Sequence, residues 1–272
     1  MIKAAVLGSP ISHSLSPLLH TVAYNELGMK SNYSPIEVKS GELATFLSTC
    51  DDSWTGFSLT MPLKEEVIPL AHKVSDLART IKSANTLLRD NGNWHATSTD
   101  VPGFVNAIEA NGKKISGEVL IIGAGATARA AAAATDGLAE SITVMMRPSS
   151  RERDMRDCVK TSRLNFVSWG DSPSFLSADL IISATPAGAS DSLLDYFPKK
   201  PKSVLFDVLY HPWPTMALVN WKANGGDIID GLDLLIHQAI DQIQLFSGAP
   251  LDRKDMSGLL RSRSLTVLKS ST

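Results

Sequence analysis

A strand, a glycine turn and a helix follow one another at residues 118–134, and this order restricts the fold more than any other feature of the sequence. The apolar run VLII leads into Gly123-Ala124-Gly125-Ala126-Thr127-Ala128, which matches G-x-G-x-x-A, and the alanine-rich stretch ARAAAAA follows. Glycines at the first two motif positions allow a tight turn and a close backbone approach, so that a pyrophosphate can bind the free N–H groups at the positive end of the helix. The pattern predicts a dinucleotide-binding module; a glycine-rich turn in another α/β protein is the alternative.

The strand after this helix indicates which nucleotide the module binds. In NAD-binding modules an acidic side chain about 20 residues beyond the glycines binds the ribose 2′-hydroxyl. Here the run SITVMM ends at Arg147, and no carboxylate stands between Arg147 and Arg151, where Ser149 adds a hydroxyl. Guanidinium and hydroxyl donors suit a 2′-phosphate, which a carboxylate would repel. The sequence therefore predicts NADP as the cofactor, with Arg147 as its main contact there; a solvated basic turn is the alternative.

Short β-rich apolar runs alternate with segments of helical period along the chain. The runs are AAVLG (4–8), NYSPIEV (32–38), GFSLT (56–60), EVLIIG (118–123), SITVMM (141–146), DLIISA (179–184), SVLFDV (203–208) and GDIID (226–230). Strand-then-helix order of this kind implies mostly parallel sheets with helices on both faces, which is the α/β class. With 272 residues, of which 43% are hydrophobic and 20% charged, the chain can fill two compact cores, so we expect two domains.

Charge and cysteine usage argue against several classes of partner. The formal net charge is −2 and no long basic run occurs, so neither a nucleic acid nor an anionic membrane surface is expected as a partner. Cys50 and Cys158 lie outside any CxxC spacing, and His13 and His20 have no third ligand at a recognisable spacing, so we expect no disulfide framework and no metal. The sequence shows neither a signal-peptide pattern nor an apolar run as long as a membrane span. These features predict a cytoplasmic protein.

The first hundred residues should hold the second substrate and the proton-transfer groups, because the nucleotide module lies in the second half of the chain. In GSPISHSLSP (8–17), Ser16 before Pro17 has the pattern of a helix N-cap, and Ser14 and Ser16 could also bind a carboxylate at the helix N-terminus. In LTMPLKEE (59–66), Lys64 falls in the first turn of a predicted helix, where the helix dipole disfavours a cation. The alternatives are capping alone for the serines and an exposed surface position for the lysine.

A third segment runs from SANT (83–86), through a predicted hairpin at Asp90-Asn91-Gly92, to STDVPG (98–103). Asp100 precedes a helical pattern and could simply cap that helix, and Asn85 could be an ordinary turn residue. A functional role for both gains weight because they occur together with the two segments before them.

These segments stand in order with others along the chain: GSPISHSLSP, SLTMPLK, SANTLL, STDVPGF, GAGATARA, MRPSSR, SATPAG, DVLYHPWPT and GLDLLIHQA. In this order, and from residue 3 to the region of residue 250, the sequence resembles the shikimate dehydrogenase family, and most of all its actinobacterial forms. The resemblance implies an NADP-dependent oxidoreductase acting on a CH–OH group. Such an enzyme reduces 3-dehydroshikimate to shikimate with NADPH, toward chorismate and the aromatic amino acids. The implied partner is a small-molecule substrate, and the implied assembly is a monomer or a homodimer.

The resemblance also implies a role for each matching residue. Lys64 and Asp100 match the catalytic acid–base pair, with Lys64 as the expected proton donor to the developing alkoxide. The matching substrate-binding positions are Ser14, Ser16, Thr60, Asn85, Tyr210 and Gln238. The matching cofactor-binding positions are Gly123, Ala124, Gly125, Ala126, Thr127, Arg147, Arg151 and Gly231.

The sequence departs from the family pattern at positions that the resemblance places in the substrate and nicotinamide walls. They are Ser58, Ser98, Ala126, Ser183 and Leu234. Quinate and aminoshikimate dehydrogenases share the same framework and are therefore alternatives, as is a regulatory relative that binds NADP without catalysis. The presence of both Lys64 and Asp100 favours a catalyst, and the lack of a carboxylate near Arg147 disfavours an NAD-linked quinate dehydrogenase.

The architecture that the resemblance implies has three parts. A substrate-binding α/β domain is expected at 1–101, a Rossmann-type doubly wound NADP domain at 102–231, and C-terminal helices at 232–272 that pack back on the substrate domain. The run GLDLLIHQAIDQIQLF, which contains Gln238, has the apolar spacing of such a helix.

Overall fold

The chain folds into two units, each built around a six-stranded sheet. The computed structural model describes residues 1–147 and 151–270. The first unit comprises Met1–Thr99 and Leu235–Thr272, and the second comprises Asp100–Leu234.

The strands and helices alternate as the sequence pattern predicts, apart from one β-hairpin in the first unit and the two C-terminal helices. The strands are β1 (Ile2–Gly8), β2 (Ser31–Glu37), β3 (Gly56–Leu59), β4 (Lys73–Val74), β5 (Thr86–Asp90), β6 (Asn93–Thr97), β7 (Glu118–Ile122), β8 (Ser141–Met146), β9 (Arg163–Ser168), β10 (Leu180–Ser183), β11 (Val204–Asp207) and β12 (Asp227–Ile229). The α-helices are α1 (Ser16–Glu26), α2 (Leu43–Ser48), α3 (Leu63–Glu66), α4 (Asp76–Thr80), α5 (Asp100–Ala110), α6 (Ala126–Thr135), α7 (Glu152–Cys158), α8 (Pro173–Ser177), α9 (Met216–Ala223), α10 (Gly231–Ser247) and α11 (Arg253–Ser270). Short 3-10 helices cover Ile68–Leu70 and Asp191–Tyr196.

The sheet of the first unit is mixed and has the strand order β2-β1-β3-β5-β6-β4. β1 runs parallel to β2 and β3, whereas β5 runs antiparallel to both β3 and β6. The predicted hairpin between β5 and β6 is confirmed: Asn91 and Gly92 both have positive φ, 47° and 77°, which suits the twist of a two-residue turn. The central strands are buried on both faces, and Leu7, Phe57 and Leu87 form part of one apolar core.

The sheet of the second unit is parallel throughout, in the order β12-β11-β10-β7-β8-β9. Numbered within this sheet alone, the order is 3-2-1-4-5-6 read from β9, which is the doubly wound order of dinucleotide-binding folds. The predicted α/β class with a Rossmann-type unit is therefore confirmed. The order reverses between β7 and β10, and ligands of such sheets bind beyond the carboxyl ends of the strands at that point.

The described residues include no helix with the length and apolar character that a bilayer span needs. In the same residues, no group of three or more His, Cys, Asp and Glu side chains is arranged to hold a metal ion.

Candidate active site

The glycine turn lies at the point where the strand order of the second sheet reverses. Gly123 directly follows β7 and has φ +112°, and a Cβ there would lie 2.7 Å from the carbonyl oxygen of Ala184, which follows β10. Only glycine combines this backbone conformation with so close an approach. Gly125 is the N-cap of α6, and a Cβ added to it would meet no atom closer than Nη1 of Arg151, at 3.9 Å. The N-terminus of α6 can therefore receive a phosphate group.

Two buried hydroxyls beside this turn can bind a ligand. The Oγ of Ser183 and the Oγ1 of Thr185 are buried and have no hydrogen-bond partner among residues 1–147 and 151–270. The Cγ2 of Thr185 lies 3.4 Å from the position that a Cβ of Gly123 would take. A buried hydroxyl without a partner is costly, so a polar ligand at this turn would be stabilised by Thr185. Thr185 belongs to none of the predicted site residues, although its place just beyond a strand end is a usable signal.

The end of β8 carries positive charge. Arg147 is exposed and directly follows β8, and its guanidinium carbon lies 5.2 Å from the centroid of the Trp169 ring. Arg151 is exposed at the N-cap of α7, with its Nη1 near Gly125 as described above. Ser149 lies outside the described residues. The glycine turn, the helix N-terminus and the two arginines together fit a dinucleotide that carries a 2′-phosphate.

Three further predicted residues lie in the second unit. Gly231 begins α10, where an added Cβ would overlap the carbonyl oxygen of Val208 and main-chain atoms of Leu209. Tyr210 is the residue after Leu209 and is half-buried, so the segments that contain Gly231 and Tyr210 meet. Asp100 is the first residue of α5 and is 4% exposed.

In the first unit, the segments around Ser14 and Thr60 meet at the carboxyl ends of β1 and β3. The N–H of Ser9 donates to the carbonyl of Met61 at 3.0 Å. A Cβ on Gly8 would overlap the Cγ2 of Thr60, so the close approach of these segments requires glycine there. Thr60 is half-buried just beyond β3.

The predicted capping role of Ser16 is wrong in detail. α1 begins at Ser16 itself, and the N-cap residue Leu15 makes no side-chain bond. The hydroxyl of Ser14 accepts a hydrogen bond from the N–H of Ser16 at 3.3 Å. Ser14 therefore satisfies one terminal N–H donor of α1, and Ser16, whose side chain is buried, is the first residue of the helix rather than its cap.

Lys64 lies on α3, and its main chain is tied to the third segment. α3 has 4 residues, so the unfavourable interaction predicted between the Lys64 cation and the helix dipole involves the dipole of only a single turn. The half-buried Lys64 accepts at its carbonyl from the N–H of Ala84 at 2.8 Å. The N–H of Leu59 donates to the carbonyl of Asn85 at 2.7 Å. The strand that leads to Thr60 and Lys64 is thus held against Asn85.

The side-chain amide of Asn85 is 1% exposed and lies at the centre of a set of hydrogen bonds. Its Oδ1 accepts from the N–H of Thr99 and from the hydroxyl of Thr86, both at 2.8 Å. Its Nδ2 donates to Oγ1 of Thr99 at 2.9 Å and to Oε1 of Gln238 at 3.0 Å. Asn85 thus also holds the main chain at Thr99, the last residue of this segment of the first unit.

The predicted residues divide between the two units. The group in the first unit consists of Ser14, Ser16, Thr60, Lys64, Asn85 and Gln238. The group in the second unit consists of Asp100, Gly123, Ala124, Gly125, Ala126, Thr127, Arg147, Arg151, Tyr210 and Gly231.

A doubly wound parallel sheet with a glycine turn at its switch point and arginines beyond the next strand defines a dinucleotide-binding α/β protein. Comparison with known proteins makes this class specific. Residues 6–87 match the shikimate dehydrogenase substrate binding domain. A shikimate dehydrogenase (NADP⁺) of Staphylococcus epidermidis is 30% identical over 268 residues, which are 95% of this chain and 96% of that protein.

Solved structures agree with this result. A shikimate dehydrogenase of Mycobacterium tuberculosis is 34% identical, with a TM-score of 0.83 over 96% of this chain and 99% of the other. The Thermus thermophilus enzyme, solved with NADP(H) and shikimate, is 31% identical, with a TM-score of 0.84 over 97% of this chain and 100% of the other. The chain belongs to the shikimate dehydrogenase family. The predicted family, the predicted oxidoreductase class acting on a CH–OH group and the predicted cofactor NADP are confirmed by these relatives.

Proposed function

We propose that the protein catalyses the reversible NADPH-dependent reduction of 3-dehydroshikimate to shikimate, in the biosynthesis of chorismate and the aromatic amino acids. The observation that carries this proposal is the match over almost the whole chain to the Thermus thermophilus enzyme, which was solved with both NADP(H) and shikimate. A 5-ketofructose reductase of Gluconobacter shares the fold, with a TM-score of 0.79 at 24% identity, so fold alone does not fix the substrate. The side chains of the site must do so.

The first unit supplies groups that suit the substrate. Shikimate carries a carboxylate, and the hydroxyls of Ser14 and Ser16 stand at the start of α1, an 11-residue helix with no acidic residue in its first turn. A helix N-terminus of this kind favours a bound anion. Thr60, Asn85 and Gln238 supply hydroxyl and amide groups for the ring hydroxyls, and Tyr210 of the second unit completes the proposed set.

In the proposed reaction NADPH supplies a hydride to the carbonyl carbon. Lys64 donates a proton from its ammonium group to the carbonyl oxygen, which would otherwise develop negative charge. Asp100 acts with Lys64 as the acid–base pair of the reaction. The hydrogen bond from the N–H of Ala84 to the carbonyl of Lys64 fixes the main chain of Lys64.

The residues proposed to hold the cofactor lie in the second unit. Gly123, Ala124, Gly125, Ala126 and Thr127 offer main-chain N–H groups and a helix N-terminus to the pyrophosphate. Arg147 and Arg151 offer guanidinium donors to the 2′-phosphate. Gly231, where a side chain would overlap Val208 and Leu209, borders the proposed nicotinamide side.

The test is an assay of the purified protein with 3-dehydroshikimate and NADPH, together with oxidation of shikimate, quinate and aminoshikimate by NADP and by NAD. We expect rapid NADP-dependent turnover of shikimate and little turnover of the other two substrates. Faster turnover of quinate or aminoshikimate would assign the protein to that substrate instead. Binding of NADP without turnover of any of the three would favour the regulatory alternative.

A further inference from the structure

A chain of hydrogen bonds runs through the buried interior of the first unit and ends on the amide of Asn85. The Tyr33 hydroxyl donates to Oγ of Ser58 at 2.7 Å, and Ser58 donates to Oε1 of Gln242 at 2.7 Å. The Nε2 of Gln242 donates to the main-chain carbonyl of Asn85 at 2.8 Å and to Oγ1 of Thr86 at 3.0 Å. The Thr86 hydroxyl in turn donates to Oδ1 of Asn85 at 2.8 Å. All these donors point the same way, toward Asn85.

Main-chain groups fix the orientation of every amide in this chain. The N–H of Thr99 can only donate, so the atom of Asn85 that faces it is the oxygen Oδ1. The carbonyl of Asn85 can only accept, so the atom of Gln242 that faces it is Nε2. The carbonyl of Leu235 accepts from Nε2 of Gln238 at 2.7 Å, which leaves Oε1 of Gln238 to face Asn85. The direction of the chain is therefore set by the backbone.

We propose that Gln242 is a positioning residue for substrate binding: through the carbonyl of Asn85 and the hydroxyl of Thr86, it holds the amide of Asn85 with Nδ2 directed to the Gln238 side. This inference rests on the proposed function, in which Asn85 and Gln238 bind the ring hydroxyls. Gln242 itself is 1% exposed and lies one helical turn beyond Gln238 on α10, where it bonds to the Asn85 main chain and to Thr86.

Gln242 acts on Asn85 by deciding which way the Thr86 hydroxyl points. Because Nε2 of Gln242 donates to Oγ1 of Thr86, that hydroxyl directs its own proton to Oδ1 of Asn85. Without Gln242, the Thr86 hydroxyl can turn its proton away from Oδ1 of Asn85, and the buried carbonyl of Asn85 loses a donor. The Asn85 amide, still oriented by the N–H of Thr99, would then be held by fewer hydrogen bonds, and its Nδ2 would be positioned less precisely for the substrate.

The experiment compares Gln242→Leu with Thr86→Val, which removes the hydroxyl at nearly constant shape, and with Thr86→Ser, which keeps it. We expect Gln242→Leu and Thr86→Val each to raise KM for shikimate by about tenfold, the scale of one buried hydrogen bond left unmade. KM for NADP should stay within about twofold, because the cofactor residues lie in the second unit and one hydrogen bond in the first should leave them unaltered. Thr86→Ser should retain most of the wild-type KM for shikimate.

Gln244→Leu on the same helix is the matched control, since Gln244 is half-buried and its side chain takes no part in the chain of donors. A purely structural role for Gln242 would reduce the amount of folded enzyme and leave both KM values unchanged, and that result would overturn the proposal. If Gln242→Leu does not fold, the comparison of Thr86→Val with Thr86→Ser decides. If the wild-type protein does not turn over shikimate, the proposed function itself is overturned. If the wild type does turn it over but Gln242→Leu keeps the wild-type KM, only the role of Gln242 is overturned, so the two failures can be told apart.

Discussion

The guanidinium carbon of Arg147 lies 5.2 Å from the centroid of the Trp169 ring, across the gap between the end of β8 and the end of β9. The face of an aromatic ring attracts a cation, so Trp169 limits the range of positions of an exposed side chain. The indole N–H of Trp169 donates to Oγ of Ser192 at 3.5 Å, which anchors the ring. Trp169 therefore holds Arg147 at the strand end where the 2′-phosphate is expected.

We predict that Arg147→Ala raises KM for NADP by about tenfold or more, because a charge-assisted hydrogen bond to the phosphate is lost. KM for NAD, which lacks that phosphate, should change little. Trp169→Ala should shift KM for NADP in the same direction by a smaller factor. Steady-state kinetics with both cofactors measures these effects.

The matched control is Arg156→Ala, since Arg156 also packs its guanidinium over an aromatic ring, that of Phe166, at 4.6 Å. Arg156 lies on α7 and pairs with Glu152, so its loss should leave KM for NADP unchanged. An equal rise of KM for NADP and for NAD in Arg147→Ala would contradict a contact to the 2′-phosphate.

We predict that Lys64→Ala lowers kcat by about 10²–10⁴, the usual contribution of a positioned acid or base, and raises KM for shikimate far less. The reason is that the proposed proton transfer occurs only in the transition state. Lys73→Ala, at an exposed lysine on β4, serves as the control and should keep kcat. A Lys64→Ala enzyme that loses substrate affinity but retains kcat would refute the acid–base role.

The elements that sequence predicts well are those in which burial and periodicity coincide. β8 is buried at every position and was predicted over the observed range, and the apolar spacing of 231–246 matches α10. β9 is not predicted, because Arg163–Ser168 lies at the sheet edge, has no buried side chain and contains only two consecutive apolar residues. β4, at Lys73–Val74, is too short to show any period.

The site was only partly predictable for a similar reason. The motif residues around Gly123 lie within one strand–helix turn, so their spacing is visible in the sequence. The contact between Gln242 and Asn85 joins residues 157 positions apart, and a glutamine on an amphipathic helix looks like a solvated polar position. Ser58 was placed in the substrate wall, whereas its hydroxyl bonds to Tyr33 and Gln242 in the interior. Only the fold brings such groups together.

We predict that the unfolding free energy decreases as the pH is lowered, because His20 is buried in its neutral form. The ring of His20 stacks on Tyr33 at 3.9 Å between centroids, and burial lowers the pKa of His20 from 6.5 to about 3. Between these values the unfolded chain binds a proton that the folded chain does not, so this contribution to stability is complete above pH 6.5 and is lost progressively below it. Burial also lowers the pKa of His237, to about 4, in the same direction.

Urea unfolding at pH 7.5 and 5.5 tests this prediction. Replacing His20 by Phe keeps a ring on Tyr33 and removes the titrating group, so the loss of unfolding free energy between the two pH values should shrink by about 1.4 kcal/mol. The substitution also removes Nδ1 of His20, which is the hydrogen-bond partner of the Tyr24 hydroxyl at 3.1 Å. This loss should change the unfolding free energy equally at both pH values. His13→Gln, at an exposed position, should leave the pH dependence as in the wild type. An unchanged pH dependence in His20→Phe would contradict the prediction.

We predict that Lys82→Gly stabilises the first unit. Lys82 has φ 49°, in the left-handed region, and closes α4: its N–H donates to the carbonyl of Arg79 at 3.1 Å, and the N–H of Ser83 donates to that of Ala78 at 3.0 Å. This paired pattern is the helix ending in which glycine is preferred, because a Cβ is strained there. The free energy gained by relieving the strain exceeds the free energy lost because glycine gives the unfolded chain more conformational entropy. The unfolding free energy measured by urea titration should therefore rise by about 0.5–1 kcal/mol. The control is Lys30→Gly, at an exposed lysine outside the positive-φ positions, which should lower the unfolding free energy. A lower unfolding free energy in both variants would show that the Lys82 backbone is not strained.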